Sequence, residues 1–322
     1  MSFKPAALFP GQGSQYPGMV RDLFSEFSWT RPFFEEASDA LKLDLAKLCL
    51  DGPADELQMT EFAQPAILTT SFSWFQVLRK SLDFAPQFGA GHSLGEYSAL
   101  LSSGAMTLAE AVKLVRERGR LMQTTVPQGK GKMVAMLGLS DDQAKELCAL
   151  ASEGADSLVV PANFNAPGQI VLAGHAAAVE RAEVIATDGK NPALKARKAI
   201  PLKVSAPFHC PLMKPVADAF VASLSKVDWQ ARRFPIVHNL DAELRAEGDL
   251  VPLLRDQIDH PVLWTQCQKT LELHGATHYF EMGPGKVLTG LGKRIVGEGV
   301  FVNIETAADV KAAEKILQEA SK

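Results

Sequence analysis

The pentapeptide Gly91-His92-Ser93-Leu94-Gly95 constrains this chain more than any other stretch. A G-x-S-x-G pattern marks a sharp turn from a strand into a helix, which lifts a serine hydroxyl clear of a sheet. Backbone atoms crowd together in such a turn, and glycine beside it avoids a side-chain clash. The residue after the serine opens the helix, so its N–H has no intrahelical acceptor and can face a developing oxyanion. The flanks agree with this reading. Phe84 to Ala90 is a short apolar approach of strand character, and Ala99, Leu100 and Leu101 continue with helical character. Ser93 is therefore expected to be a nucleophile.

Composition narrows the setting. With 322 residues, 47% of them hydrophobic and 22% charged, the chain can bury a large core in one or two domains. A net charge of −4 gives no reason to expect nucleic acid as a partner. No apolar run reaches membrane-spanning length, and the first ten residues are too short and wrongly built for a signal peptide. Cys49, Cys148, Cys210 and Cys267 are widely spaced with no C-x-x-C, which suits reduced thiols in a cytoplasm rather than a disulfide frame or a zinc site.

Taken in order, Pro5 to Phe9 is a first strand broken by Pro10-Gly-Gln-Gly-Ser-Gln15, either a plain tight turn or a place where backbone N–H groups face a ligand. Residues 31–50 have helical spacing. Leu68 to Leu82 is expected as a long buried helix with Pro65 in its first turn, leaving Gln64 just ahead of it, as a cap, a solvent contact or a site residue. Thr107-Leu-Ala-Glu110 is a capping box for a helix to about Gln123. On that helix Lys113, Arg116, Glu117 and Arg120 form a charged stripe. Arg118 falls roughly 150° away, among Ala111, Val115 and Met122. A buried guanidinium needs an anion or several acceptors, from a structural carboxylate or from a substrate carboxylate held bidentately.

After the Pro/Gly/Lys linker at 126–132, the pattern changes to β-α-β-β-α-β, with strands at 133–137, 158–163, 169–173 and 199–204 and helices at about 140–152 and 176–186. That order is ferredoxin-like. It is expected as an inserted small domain over 128–204, with 1–127 and 205–322 forming a large catalytic domain. His209 lies between Pro207 and Pro211 in a stiff non-helical loop, either solvated or part of a site. Helices at about 216–224, 264–273, 286–295 and 307–320 and strands at 235–240, 278–282 and 300–304 follow, with a turn at 256–264. Strands alternating with helices outside the insert predict a parallel sheet flanked by helices, similar to an α/β-hydrolase.

Seven ordered blocks carry a resemblance across essentially the whole chain. They are Phe9-Pro-Gly-Gln-Gly-Ser-Gln15, Gln64-Pro-Ala66, Gly91-His-Ser-Leu-Gly-Glu-Tyr-Ser98, Arg118-Gly119, Asn163-Phe-Asn-Ala-Pro-Gly-Gln169, Pro207-Phe-His-Cys210 and Glu281-Met-Gly-Pro-Gly-Lys286. Together they closely resemble the malonyl-CoA:acyl carrier protein transacylases that load malonate in fatty-acid synthesis, with the acyltransferase domains of polyketide synthases as near relatives. The resemblance implies Ser93 as nucleophile, His209 as general acid/base and Arg118 as partner of the malonate carboxylate. It implies the N–H groups of Gln12 and Leu94 as oxyanion donors, and Gln64, His92 and Phe208 as substrate-binding residues. It implies the main-chain carbonyl of Gln257 as the group that orients the histidine. Phe208 fits a malonyl preference, although Ala206-Pro207 does not complete the polyketide signature. The implied partners are acyl carrier protein and malonyl-CoA, with no metal or other cofactor and a monomer as the default. A serine thioesterase or hydrolase would share the serine turn, and a non-catalytic carrier-docking subunit would share the fold. Lys286 is either a contact for a CoA or carrier phosphate or a solvated surface residue.

Overall fold

A computed structural model describes residues 3–127, 129–202, 204 and 206–320. In chain order the elements are β1 (Pro5–Phe9), α1 (Arg21–Glu26), α2 (Arg31–Leu41), α3 (Leu45–Asp51), α4 (Ala54–Gln58), α5 (Thr60–Leu82), β2 (Phe88–Gly91), α6 (Leu94–Ser103) and α7 (Leu108–Thr124). Then come β3 (Gly131–Leu137), α8 (Asp141–Ala151), β4 (Val159–Ala166), β5 (Gln169–His175), α9 (Ala176–Thr187), β6 (Lys198–Pro201) and α10 (Lys214–Leu224). The chain closes with β7 (Ile236–Val237), β8 (Leu244–Arg245), α11 (Leu250–Asp256), α12 (Trp264–Leu273), β9 (His278–Met282), α13 (Val287–Ile295), β10 (Val300–Ile304) and α14 (Ala307–Ala320).

The larger sheet has the order β10-β9-β1-β2-β7-β8. Its first five strands pair in parallel. β1 and β2 lie side by side at its centre, buried on both faces as helix-covered parallel strands must be. The parallel sheet expected from the sequence is formed by these five strands, and β8 is added at the edge antiparallel to β7. The link between them is a tight turn closed by His238 N–H to Glu243 O at 3.1 Å, with Ala242 at φ 57°. So short a link permits only an antiparallel return. The expected strand at 235–240 shrinks to Ile236–Val237 because His238 and Asn239 leave the ladder to bond a buried carboxylate.

The smaller sheet is antiparallel in the order β4-β5-β3-β6, with α8 and α9 packed on it around a separate apolar core. Its other face joins the larger core through Met133, Ala162, Val171 and Ala173. β4 is also stitched to the loop before α12 by Phe164 N–H to Val262 O (3.0 Å) and Val262 N–H to Ala162 O (2.9 Å). The expected strand 199–204 is β6, shifted to Lys198–Pro201, where Pro201 ends the ladder that it cannot donate to. The expected domain boundaries at 128 and 205 fall outside the described residues.

Helix α5 starts at Thr60, eight residues before the expected start, so Pro65 sits inside it and Gln64 is a buried residue of its second turn. Helix α7 packs tightly against the first turn of α5. A Cβ on Gly119 would lie 2.5 Å from Thr60 O, so only glycine permits this crossing. Helix α7 begins with the expected capping box, both halves formed between Thr107 and Glu110. Helix α11, absent from the sequence reading, precedes the 256–264 turn and carries Gln257 at its C-terminal end. Among the described residues, no helix is long and apolar enough to cross a membrane.

Candidate active site

The site forms at the carboxyl ends of β1 and β2, where open α/β sheets present their ligands. Ser93 follows β2 after one residue, His92, and caps α6 with φ 52° and ψ −105°, a conformation that costs a residue with a Cβ about 1–3 kcal/mol. Asn239 holds that turn from the side. Its Oδ1 accepts Ser93 N–H at 2.6 Å, and its Nδ2 donates to Gly91 O at 2.8 Å. The two glycines are needed for contact rather than for flexibility. A Cβ on Gly91 would lie 1.9 Å from Gly95 C and O, and one on Gly95 would lie 2.0 Å from Phe9 O. Gly95→Ala is therefore expected to destabilise the fold by roughly 4 kcal/mol or more, measured by denaturant unfolding. A loss below about 1 kcal/mol would contradict so close a packing of α6 on β1.

His209 reaches the same point from the loop before α10. Its Nε2 lies 2.7 Å from Ser93 Oγ, and its Nδ1 lies 2.8 Å from Gln257 O. The carbonyl can only accept, so Nδ1 carries the proton and Nε2 is free to accept from the serine. His209 is 4% exposed and has φ 57°, so both members of the dyad sit in left-handed backbone. Burial first, and then the Arg118 cation, push its pKa down to about 3.

Arg118 is 1% exposed. The close crossing at Gly119 brings it onto Gln64, whose Oε1 accepts from Nη1 at 3.0 Å. Its Nη2 donates to Ser93 Oγ at 3.1 Å and to Gln257 Oε1 at 3.0 Å, and the Tyr97 ring lies 5.2 Å from Cζ. Its hydrogen-bond acceptors are thus two amides and a hydroxyl. Among the described residues no carboxylate forms an ion pair with it. Burial lowers its pKa from the ordinary arginine value.

A cavity of about 340 Å³ opens over these groups, lined by Gln12, His92, Ser93, Leu94, Arg118, Phe208 and His209 among others. Seven of the nine residues singled out from the sequence therefore line one space, while Gln64 and Gln257 stand behind Arg118. Gln12 is tethered by its Nε2 to Thr60 Oγ1 at 3.2 Å, and His92 Nε2 meets Asn165 Oδ1 at 2.8 Å. Lys286 does not line this cavity.

Three buried polar residues of the site were missed by the sequence reading. Glu96, His238 and Asn239 form a cluster behind the serine turn. A signal for Glu96 existed, since it is the single charge in an otherwise uncharged helix, and a buried charge demands partners. In sequence His238 and Asn239 read as the continuation of the strand at 235–240, because their partner is 142 and 143 residues away.

A family model described as acyl transferase domain matches residues 7–275. The chain belongs to the acyl transferase family. It is 46% identical over 292 residues to the malonyl CoA-acyl carrier protein transacylase of Escherichia coli K12, covering 90% of this chain and 92% of that protein. To the same-named protein of Haemophilus influenzae it is 41% identical, over 98% and 99% of the two chains. Among solved structures, an acyl carrier protein S-malonyltransferase from Vibrio cholerae superposes with a TM-score of 0.91 at 42% identity, over 96% and 99% of the chains. A malonyl-transacylase solved in complex with a type II polyketide-synthase acyl-carrier protein matches with a TM-score of 0.92 at 40% identity, over 97% and 99% of the chains. The family resemblance read from seven sequence blocks and the parallel sheet flanked by helices agree with these matches.

Proposed function

We propose that this chain moves a malonyl group from malonyl-CoA to the phosphopantetheine thiol of acyl carrier protein through a malonyl ester of Ser93. What supports this reading is the buried Arg118, which donates to Ser93 Oγ and, among the described residues, hydrogen-bonds only neutral acceptors. A cation desolvated beside a reactive hydroxyl favours an acyl group that brings its own carboxylate, which arginine binds bidentately. Phe208 and His92 bound the space for that acyl group.

His209 Nε2 takes the Ser93 proton as Oγ attacks the thioester carbonyl. The N–H groups of Gln12 and Leu94 stabilise the oxyanion, each worth on the order of 3 kcal/mol. The C–S bond breaks, and the CoA sulfur leaves with the proton from His209. The carrier thiol then gives its proton to His209 and attacks the ester, and collapse of the second oxyanion returns the proton to Ser93. The mechanism needs no group beyond the thioester donor and the thiol acceptor. Four free, buried cysteines suit the reducing cytoplasm that such substrates occupy. A monomer suffices, since every named group comes from one chain; Met133 on β3 and Asn163 on β4 add the smaller sheet to the cavity lining, which fits the reading of that sheet as an inserted small domain.

Intact-mass measurement after mixing with malonyl-CoA tests the reading. The expected result is a single malonyl adduct on Ser93 that persists in buffer and is discharged by holo acyl carrier protein. No adduct overturns the enzymatic reading, and rapid loss to water without carrier favours a hydrolase. The solved relative bound to a polyketide carrier supports a second reading, in which the carrier belongs to polyketide synthesis. Discharge rates with fatty-acid and polyketide carriers separate the two.

The low pKa of His209 sets the pH dependence. In the unfolded chain the group titrates near the ordinary value of about 6.5, whereas in the fold it stays neutral down to about 3. The base is therefore competent well below pH 6.5, and the acid limb of kcat/KM for acylation is expected below pH 5. A half-maximal point at 6.5 would contradict the burial of the imidazole. The sign for stability is the reverse of a salt-bridged histidine. Below pH 6.5 the unfolded chain binds a proton that the folded chain refuses, so this group costs roughly a kcal/mol of stability per pH unit as pH falls toward 3.

A further inference from the structure

Glu96 is the only charged residue of α6, and no step of the proposed transfer uses it. Its side chain is 1% exposed, and three partners converge on it. His238 Nδ1 meets Oε1 at 2.7 Å, while Asn239 N (3.0 Å) and Gln257 Nε2 (2.8 Å) both donate to Oε2. We propose that Glu96 is a positioning residue that dictates which end of the Gln257 amide faces Arg118, and so aims the guanidinium at the acyl carboxylate. The inference rests on the transacylase reading and names a residue that sets its acyl selectivity.

The argument is one of donors and acceptors. A carboxylate only accepts, so it can take only the NH2 end of the Gln257 amide. The second hydrogen of that NH2 goes to Ser93 O at 3.0 Å. A planar amide held at Nε2 by two acceptors has its oxygen on the opposite side, and there Oε1 accepts from Arg118 Nη2 at 3.0 Å. Turned over, the amide would set NH2 against guanidinium, donor against donor, and Arg118 would lose one of its acceptors. The second arm of Glu96 fixes the serine turn. By holding Asn239 N it places the side chain that clamps Ser93 N–H and Gly91 O. A single carboxylate thus relates the nucleophile's backbone, through Asn239, to the acyl clamp, through Gln257. The field of Glu96 also favours the buried Arg118 cation.

Glu96→Gln keeps the side-chain volume but removes the charge and leaves a single acceptor oxygen beside a donor NH2, so the hold on the Gln257 amide is weakened and its other orientation is admitted. Initial rates of Ser93 acylation are measured with malonyl-CoA and acetyl-CoA in the parent, Glu96→Gln, Arg118→Ala and the double variant. The expected result is a tenfold or greater fall in the malonyl-to-acetyl preference, with KM for malonyl-CoA rising more than kcat falls. In the Arg118→Ala background, Glu96→Gln should change that preference less than twofold, because the group it aims is gone. An unchanged preference overturns the proposal, as does an equal fall for both acyl groups, which marks a merely structural carboxylate. If Glu96→Gln does not fold, Gln257→Met removes the amide and keeps the main-chain carbonyl for His209. The same loss of preference is then expected, and a preference equal to the parent's overturns the proposal. Failure of the parent itself to form a malonyl-serine would sink the transacylase reading, a result separate from any ratio between variants.

Discussion

Ser93→Ala is expected to abolish malonyl labelling and to lower transfer by roughly four orders of magnitude or more. The size follows from the dyad acting as a unit. Without Oγ, the His209 Nε2 at 2.7 Å has no proton to take and the thioester meets no nucleophile. Cys210, which follows His209 in sequence, does not substitute for it. Its Sγ donates to Pro207 O at 3.0 Å, and burial pushes its thiol up to about 12, so no thiolate is present at neutral pH. Stability should change little, because Asn239 clamps the main-chain N–H of residue 93 and alanine shares the Cβ that the turn already accommodates. Intact mass and a thermal melt on the same sample check both halves. A malonyl adduct on folded Ser93→Ala would move the nucleophile elsewhere.

The second large effect is expected from Arg118→Ala. Removing the guanidinium strips the clamp from malonyl-CoA and leaves the oxygens of Gln64 and Gln257 without their donor. Losing one partner of a buried charged contact costs about 3–5 kcal/mol, which corresponds to a fall of roughly 10²- to 10³-fold or more in kcat/KM for malonyl-CoA. Acetyl-CoA, which has no carboxylate, never uses the clamp, so its relative rate rises and uncharged acyl groups compete. If acetyl-CoA gains nothing on malonyl-CoA in the variant, Arg118 is not the selectivity element. The same substitution has a second, independent signature. The Arg118 cation is one of the groups holding the His209 pKa down. Its removal should move the acid limb of acylation by acetyl-CoA to higher pH than in the parent. A shift to lower pH would mean that the two groups do not sense each other.

The chemistry of this chain was legible wherever one residue type answered a local demand. The serine turn announced itself through paired glycines, and Arg118 through its place among the apolar residues of an amphipathic helix. The loop at 207–211 was readable as stiff because prolines flank His209. The misreadings have physical causes as well. Pro65 suggested a helix start, but the contact of Gly119 with Thr60 stabilises an earlier turn that no local rule registers. Strand β7 was overextended because the sequence does not show that His238 and Asn239 leave the ladder for a carboxylate on another helix.

Read alone, the residues of this chain fix the alternation of strands and helices, the position of the serine turn and the identity of the cation that must be buried, since each depends on periodicity or on neighbours within a few residues. What the buried groups face depends on the packed fold. It set the Gln257 carbonyl on His209 and the Gln257 amide between Arg118 and Glu96, and it aimed Arg118 at Ser93 rather than at a structural carboxylate. Those pairings join residues 25 to 161 positions apart, and desolvation makes each of them obligatory only after the surrounding core has closed.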